Sequence, residues 1–122
     1  MLLIIDDETP IREAIEDILD LIDMQSIGAA DGAEGLVLFQ EHHAELSMVL
    51  LDMQMPGMDG ATTYREIRKL APDIPIIITS GYSQTKTLTQ IDQEKAIFFL
   101  QKPLALNTLI ETVESIIQMK NS

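Results

Sequence analysis

The sequence predicts an α/β fold with a doubly wound, five-stranded parallel sheet, and two observations carry this prediction. Four short apolar runs, each bounded by turn or charged residues, are typical of strands buried on both faces, and a weaker fifth candidate lies between the first two. Stretches with helical periodicity separate the runs, so strand and helix alternate along the chain. The five strand candidates are Leu2–Ile5, Gln25–Ala30, Met48–Leu51, Ile76–Ile78 and Ile97–Leu100.

The first two helices are predicted from an apolar face and from capping residues. The apolar face of the first helix comprises Ile11, Ala14, Ile15, Ile18, Leu19 and Ile22. We expect Thr9 to cap its first turn and Pro10 to occupy a position where a missing N–H costs nothing. Asp31 is the expected cap of the second helix, although Gly32 and Gly35 lower the helix propensity of that segment.

Three further helices follow. One carries Tyr64, Ile67 and Leu70 and stops at Ala71-Pro72, because the residue before a proline disfavours helical geometry. A more polar one is expected within Ser83–Glu94, and the last begins near Leu106. Each therefore lies between two predicted strands or after the last one, as a parallel sheet requires.

The composition limits the functions open to the chain. Its 122 residues fit a single domain, and the absence of cysteine excludes disulfides, thiolate nucleophiles and cysteine-ligated metal centres. A net charge of −12 repels nucleic-acid phosphates and anionic lipid, so we expect proteins or cations as partners and neither nucleic acid nor a membrane. No apolar run approaches the roughly 20 residues of a membrane span. We therefore expect a soluble, cytoplasmic protein.

Charged and hydroxyl side chains follow four of the predicted strands, at the sheet edge where such folds bind ligands. These segments are Asp6-Asp7-Glu8, Asp52, Thr79-Ser80-Gly81 and Gln101-Lys102-Pro103. Two carboxylates about 4 Å apart repel by about 4 kcal/mol at an effective dielectric constant of about 20, so such a cluster needs a cation to remain ionised. Oxygen ligands without histidine or cysteine favour Mg²⁺.

Four motifs, in this order, resemble the receiver domain of two-component response regulators. They are Asp6-Asp7-Glu8, Asp52-Met53-Gln54-Met55-Pro56-Gly57-Met58-Asp59-Gly60, Ser80-Gly81 and Lys102-Pro103. The resemblance spans essentially the whole chain and implies a flavodoxin-like (βα)5 fold with strand order 2-1-3-4-5. The runs Thr79–Ser83 and Phe99–Pro103 are similar to receivers attached to hybrid sensor histidine kinases.

The resemblance also implies the chemistry of the site. Asp52 would be the phosphoacceptor, taking a phosphoryl group from a phosphohistidine on a histidine kinase or a histidine phosphotransfer protein. Asp6 and Asp7 would hold Mg²⁺ together with Asp52 and the backbone carbonyl of Gln54. Phosphoryl transfer is mostly positioning and charge neutralisation, which a divalent ion and one lysine supply.

Other residues would contact the phosphoryl group or respond to it. Lys102 would pair with one phosphoryl oxygen, and Ser80 would donate a hydrogen bond to another. Phe99 falls where the family places an aromatic ring that turns inward when Ser80 moves. Gln54 and Tyr82 are best placed to control the lifetime of the phosphoryl group, and the bulky, protonated Tyr82 would slow its hydrolysis.

These roles describe a signalling phosphoacceptor rather than an enzyme that turns over a separate substrate. Phosphorylation of Asp52 would switch the surface offered to a downstream protein. Residues 1–122 would form one receiver domain without an output domain. We expect a receiver cut from a longer protein, and a single-domain regulator is the alternative.

Three other functions share parts of the pattern. A Mg²⁺-dependent aspartyl-phosphate hydrolase of the haloacid-dehalogenase type needs an acid two residues after its nucleophile, where Gln54 stands. A flavodoxin-like FMN binder needs a Ser/Thr/Gly phosphate loop in place of Asp6-Asp7-Glu8, which repels phosphate. The third is an interaction module of the same fold that has lost phosphorylation, which the filled chemical positions disfavour.

Overall fold

One parallel sheet organises the protein. The computed structural model describes residues 1–54, 60–81 and 96–121. Within them, five strands pair in parallel in the order β2-β1-β3-β4-β5, which confirms the predicted fold class and strand order. The strands are β1 (Leu2–Ile5), β2 (Ser26–Ala29), β3 (Met48–Asp52), β4 (Ile76–Ser80) and β5 (Ile97–Gln101).

The described helices connect these strands or follow the last one. They are α1 (Thr9–Leu21), α2 (Gly32–His42), α3 (Gly60–Leu70) and α4 (Leu106–Asn121). The helix predicted within Ser83–Glu94, the residue Tyr82 and the loop segment Met55–Asp59 lie outside the described residues. Among the residues that are described, none of the helices combines the length and the apolar character needed to cross a bilayer.

Buried side chains alternate between two core layers along each central strand. Leu3 and Ile5 of β1 belong to the layer under α2 and α3, whereas Leu2 and Ile4 belong to the layer under α1 and α4. The helix residues that complete the two layers include Phe39, Tyr64 and Ile67 on one side and Ile15, Leu19, Leu109, Val113 and Ile116 on the other. Helices therefore cover both faces of the sheet, and this explains why the strands are continuously apolar.

Three strands extend beyond their predicted apolar runs into polar residues. β3 ends at Asp52, which is paired with Thr79 of β4, and β4 continues to Ser80, which is paired with Gln101 of β5. The backbone ladder does not depend on side-chain polarity, so hydrogen bonding continues where the apolar pattern stops. Asp52 and Ser80 consequently sit on strand ends, whereas Asp6, Asp7 and Lys102 lie in the first residues after β1 and β5.

The prediction that Thr9 caps α1 is wrong. Glu8 occupies the N-cap position without a capping side-chain hydrogen bond, Thr9 is already helical, and Pro10 lies in the first turn as predicted. The Glu8 amide donates instead to Oδ1 of Asp6 at 2.9 Å, and this tight turn starts the helix one residue earlier. The predicted cap of α2 is confirmed, because Oδ1 of Asp31 accepts from the backbone amide of residue 34 at 2.8 Å.

A buried arginine that the sequence does not single out joins the far ends of three elements. Arg68 is 8% exposed and donates to the carbonyls of Pro72 at 3.1 Å, Ile74 at 2.6 Å and Ala96 at 3.4 Å. Hydrogen bonds from a charged donor are stronger than neutral ones, so this guanidinium fixes the end of α3 against the starts of β4 and β5.

Candidate functional site

Three aspartates converge at the carboxyl ends of the neighbouring strands β1 and β3. Asp6 and Asp52 are buried, Asp7 is exposed, and each offers a carboxylate oxygen within 4.8 Å of the other two. Like charges this close repel strongly in a partly buried site. The cluster therefore has the donor atoms and the charge that a hard divalent cation requires.

Lys102 provides the positive charge that the structure already places beside the aspartates. Its Nζ lies 3.0 Å from Oδ2 of Asp6, 3.2 Å from Oδ2 of Asp52 and 4.0 Å from Oε2 of Glu8. Its backbone amide donates to the carbonyl of Ser80 at 2.8 Å, which ties the end of β5 to β4. Burial acts to lower the pKa of the Lys102 ammonium, but its contacts with Asp6 and Asp52 outweigh burial and raise the pKa, so the group is charged.

The environment of Asp52 disfavours its charged form, whereas that of Lys102 favours the charged form. Its side chain is 1% exposed, and burial raises the pKa of its carboxyl against the opposing effects of the Gln54 amide and Lys102. Oδ1 accepts from the Gln54 backbone amide at 3.0 Å, while Oδ2 faces Lys102. With the neighbouring charge of Asp6 also raising the pKa of Asp52, the Lys102 ammonium does not fully compensate the buried Asp52 carboxylate. An additional cation would do so.

Two further donors face the same edge of the sheet. Oγ of Ser80 is fully buried and has no hydrogen-bond partner among residues 1–54, 60–81 and 96–121. The backbone amide of Gly81 donates to Oε1 of Gln54 at 3.2 Å. A Cβ at Gly81 would lie 3.2 Å from that same oxygen, so the glycine lets Gln54 approach. A buried hydroxyl without a partner has a donor available for an oxygen atom of a ligand.

Phe99 lies in the core layer under α2 and α3, where it is partly buried. It pairs with Ile78 in the ladder between β4 and β5. Because side chains alternate along a strand, Ser80 and Ile78 face the same side of the sheet as Phe99. The two residues predicted to form a switch therefore share one face, and Tyr82 is the predicted site residue that lies outside the described part of the chain.

One contributor near the site was not predicted for it. Arg12 donates through Nη1 to the backbone carbonyl of Asp6 at 2.6 Å, while Glu8, from the predicted acidic segment, approaches Lys102. The position of Arg12 one turn into the helix that follows the acidic pair is the sequence signal that could have identified it. No pattern in the sequence shows that its side chain turns back to the strand end.

An apolar groove of about 560 Å³ adjoins the aspartates. Ile11, Ala14 and Ile18 of α1 form one wall, and Pro103 and Leu104 form the other. Glu8, Gly81 and Lys102 complete its rim, so the groove opens directly onto the candidate site.

A family model for the response regulator receiver domain matches residues 2–114. The chain therefore belongs to the response-regulator receiver family of two-component systems, as the fold and the strand-end residues indicated.

Curated relatives contain this domain within longer proteins. Sensor kinase CckA of Brucella abortus (strain 2308) is 37% identical over 93 residues, which are 76% of this chain and 10% of that protein. The C4-dicarboxylate transport transcriptional regulatory protein DctD of Rhizobium meliloti (strain 1021) is 32% identical over 109 residues, which are 89% of this chain and 23% of that protein. The chain thus spans less than a quarter of either relative.

Solved structures show the same fold over nearly the whole chain. The crystal structure of a response regulator receiver domain protein from Clostridium thermocellum has a TM-score of 0.90 at 30% identity, covering 98% of this chain and 95% of that one. The receiver domain of the hybrid histidine kinase CckA has a TM-score of 0.81 at 29% identity, covering 94% of this chain and 96% of that one.

Proposed function

We propose that the chain accepts a phosphoryl group on Asp52 from a phosphohistidine and thereby switches a protein-binding surface. The observation that carries the proposal is the environment of Asp52. It is a buried carboxylate at a strand end, within 3.2 Å of a lysine ammonium and within reach of two further aspartates. A carboxylate that is buried without full charge compensation is stabilised when it gains a cation, and with that cation it can serve as a nucleophile toward phosphorus.

Asp6, Asp7 and Asp52 would hold Mg²⁺ with the backbone carbonyl of Gln54. The three carboxylates fit this ion because each offers an oxygen ligand, and these oxygens lie within 4.8 Å of one another at the edge of the sheet. When bound, the ion neutralises charge on the phosphoryl oxygens.

The chain's own residues supply the rest of the transfer. A carboxylate oxygen of Asp52 forms the new bond to phosphorus, and the bond between phosphorus and the donor's imidazole nitrogen breaks, with the electron pair staying on that nitrogen. Lys102 then pairs with a phosphoryl oxygen, which takes the place of the Asp52 oxygen now bonded to phosphorus. The Oγ–H of Ser80, which has no partner among the described residues, donates to another phosphoryl oxygen and so stabilises its charge.

The product of this reaction remains attached to the chain. The domain catalyses its own phosphorylation and slow dephosphorylation, and its role is that of a signalling phosphoacceptor rather than an enzyme with a released product. The lifetime would depend on Gln54 and Tyr82, the residues that we propose to flank the approach of water. Neither is a base at neutral pH.

A phosphohistidine donor must reach Asp52 across the rim of the site, and the apolar groove beside α1 lies on that rim. The same helix, α1, also carries four acidic residues, namely Glu13, Glu16, Asp17 and Asp20. We propose that a helix of a histidine kinase or histidine phosphotransfer protein docks there, with apolar side chains in the groove and lysine or arginine beside the acidic residues. This exchange would take place in the cytoplasm.

Ser80 and Phe99 would carry the signal away from Asp52. When Ser80 is drawn toward the phosphoryl group, space opens on its side of the sheet, and the partly buried ring of Phe99 moves into it. One new charge would thereby bias a two-state element of the fold. The net charge of −12 argues against nucleic acid as the direct target, so we propose a downstream protein that reads the remodelled face.

Intact-mass spectrometry tests this function. Incubation with acetyl phosphate and Mg²⁺ should add the mass of one phosphoryl group to the wild type and to Asp73→Asn, a control that removes an exposed carboxylate elsewhere. Asp52→Asn should gain nothing. Labelling of Asp52→Asn, or equal labelling of the wild type without a divalent ion, would contradict the proposal.

A further inference from the structure

Arg12 connects the first helix to the backbone of the acidic pair. Its Nη1 donates to the carbonyl of Asp6 at 2.6 Å, and its Nη2 donates to Oγ1 of Thr9 at 3.1 Å. The Asp6 carbonyl belongs to the peptide group that joins Asp6 to Asp7. The guanidinium therefore holds the orientation of that peptide group with a charge-assisted hydrogen bond.

The neighbouring strand leaves room for this side chain. A Cβ on Gly28 of β2 would lie 3.3 Å from Cδ of Arg12 and 3.4 Å from Oε1 of Glu16. The stem of Arg12 thus lies across β2 where the strand has no side chain. A residue larger than glycine at position 28 would therefore displace the aliphatic stem of Arg12.

Asp6 and Asp7 differ in how their carboxylates are fixed. Asp6 is buried and is held by the Glu8 amide at 2.9 Å and by Lys102 at 3.0 Å. Asp7 is exposed, and no hydrogen bond or ion pair within the described residues holds its carboxylate, so the preceding peptide group is what sets the direction of its Cα–Cβ bond. We propose that Arg12 is a positioning residue that fixes the Asp6–Asp7 peptide group so that the Asp7 carboxylate meets a divalent cation together with Asp6 and Asp52. This inference rests on the metal site of the proposed function.

Positioning and simple electrostatics predict opposite results for removal of Arg12. A guanidinium near the site repels a cation, so loss of its charge alone would strengthen Mg²⁺ binding. Loss of a positioning contact would weaken it, and partners that orient metal ligands are typically worth about 10- to 100-fold in metal affinity. The sign of the change therefore separates the two effects.

Calorimetric titration of the folded chain with Mg²⁺ measures this sign. Arg12→Met keeps an apolar stem and removes the donors, and we expect its Kd to rise about tenfold, at the lower end of that range. Arg12→Lys keeps a charged donor and should recover part of the affinity. Arg65→Met is the matched control, because Nη2 of Arg65 likewise donates to a threonine three residues earlier, at 3.5 Å from Oγ1 of Thr62. This variant should leave the Kd for Mg²⁺ unchanged.

A second pair of variants shows whether Arg12 acts through Asp7. In an Asp7→Asn background, Arg12→Met should cause no further loss of Mg²⁺ affinity, because the ligand that it positions is gone. Gly28→Ala keeps every charge and should weaken binding by a smaller factor, since the new Cβ presses on the Arg12 stem. This variant retains the test if Arg12→Met proves too unstable to titrate.

Each result decides between the possibilities. Unchanged or tighter binding in Arg12→Met, or an equal loss of affinity in the presence and absence of Asp7, overturns the inference even if the melting temperature falls. Failure of the wild type to bind Mg²⁺ overturns the metal site of the proposed function itself, and the positioning role with it.

Discussion

The side-chain oxygen of Gln54 accepts a hydrogen bond from the backbone amide of Gly81, with an N to Oε1 distance of 3.2 Å. This contact joins the segment after β3 to the end of β4. It occupies an amide adjacent to Ser80, on the edge where a phosphoryl group on Asp52 would lie. Gln54 therefore occupies a backbone donor that, under the proposed function, would be available to a phosphoryl oxygen.

We expect Gln54→Ala to be phosphorylated by acetyl phosphate about two- to threefold faster than the wild type. The hydrogen bond is exposed, so its net worth lies near the lower end of about 0.5–1.5 kcal/mol. Initial rates of mass gain measure the effect, with Gln118→Ala on an exposed position of α4 as the control. An unchanged or slower rate in Gln54→Ala would show that the Gly81 amide plays no part in the transfer.

Mg²⁺ should stabilise the folded chain through Asp7. A ligand that binds only the folded state adds about 2.7 kcal/mol at 100 times its Kd, so the melting temperature should rise clearly with saturating Mg²⁺. In Asp7→Asn, one ionised ligand is lost and most of this rise should disappear, whereas Asp73→Asn should keep it. Thermal unfolding followed by circular dichroism provides the comparison. A full rise in Asp7→Asn would place the ion elsewhere.

The raised pKa of Asp52 predicts a pH-dependent cost of folding. As pH rises through the ordinary carboxyl pKa of 3.8 and then through the higher folded-state pKa, the unfolded chain loses its proton first. The free energy of unfolding therefore falls over this interval and stays lower above it. Because asparagine does not ionise, Asp52→Asn should be more stable than the wild type at pH 7 in metal-free buffer.

The advantage of Asp52→Asn should shrink as the pH falls below the folded-state pKa of Asp52, since the wild-type carboxyl is then neutral too. Saturating Mg²⁺ should also reduce it, because the ion compensates the ionised wild-type carboxylate. Urea unfolding of both proteins across this pH range measures the difference. A less stable variant at neutral pH without metal would mean that Lys102 compensates the Asp52 charge fully.

Gly35 explains how α2 packs closely against β1. A Cβ at this position would lie 2.5 Å from Cδ1 and 2.9 Å from Cγ1 of Ile5. Alanine is the better helix former by about 1 kcal/mol, yet we expect Gly35→Ala to destabilise the fold by about 1–3 kcal/mol through overpacking. Ile5→Val removes Cδ1 and should recover part of the loss in the double variant. Stabilisation by Gly35→Ala alone would contradict this packing.

The sequence predicted the sheet well because the strands are buried on both faces and therefore continuously apolar. The predicted strands β3, β4 and β5 end too early, because Asp52, Ser80 and Gln101 continue the backbone hydrogen bonding with polar side chains. Gly35 made the prediction of α2 less certain, because glycine lowers helix propensity. Its cost in helix propensity is visible in the sequence, whereas the contact with Ile5 that requires it is not.

The candidate site was predicted as a set of strand ends, and the structure brings Asp6, Asp7, Asp52 and Lys102 together. Their chemical roles remain predictions. What periodicity could not show is where long side chains turn, as Arg12 does toward the Asp6 carbonyl. The cap assigned to Thr9 failed because the Asp6 carboxylate redirected the Glu8 amide and started the helix earlier.

Chemical trapping of the phosphoryl group identifies the carboxylate that accepts it. Borohydride reduces an aspartyl phosphate to homoserine, so treatment after incubation with acetyl phosphate and Mg²⁺ marks the acceptor residue for peptide sequencing by mass spectrometry. We expect homoserine at position 52, with none in the absence of a divalent ion. Homoserine at Asp6, Asp7 or another carboxylate, or none anywhere in protein incubated with the ion, would contradict this expectation.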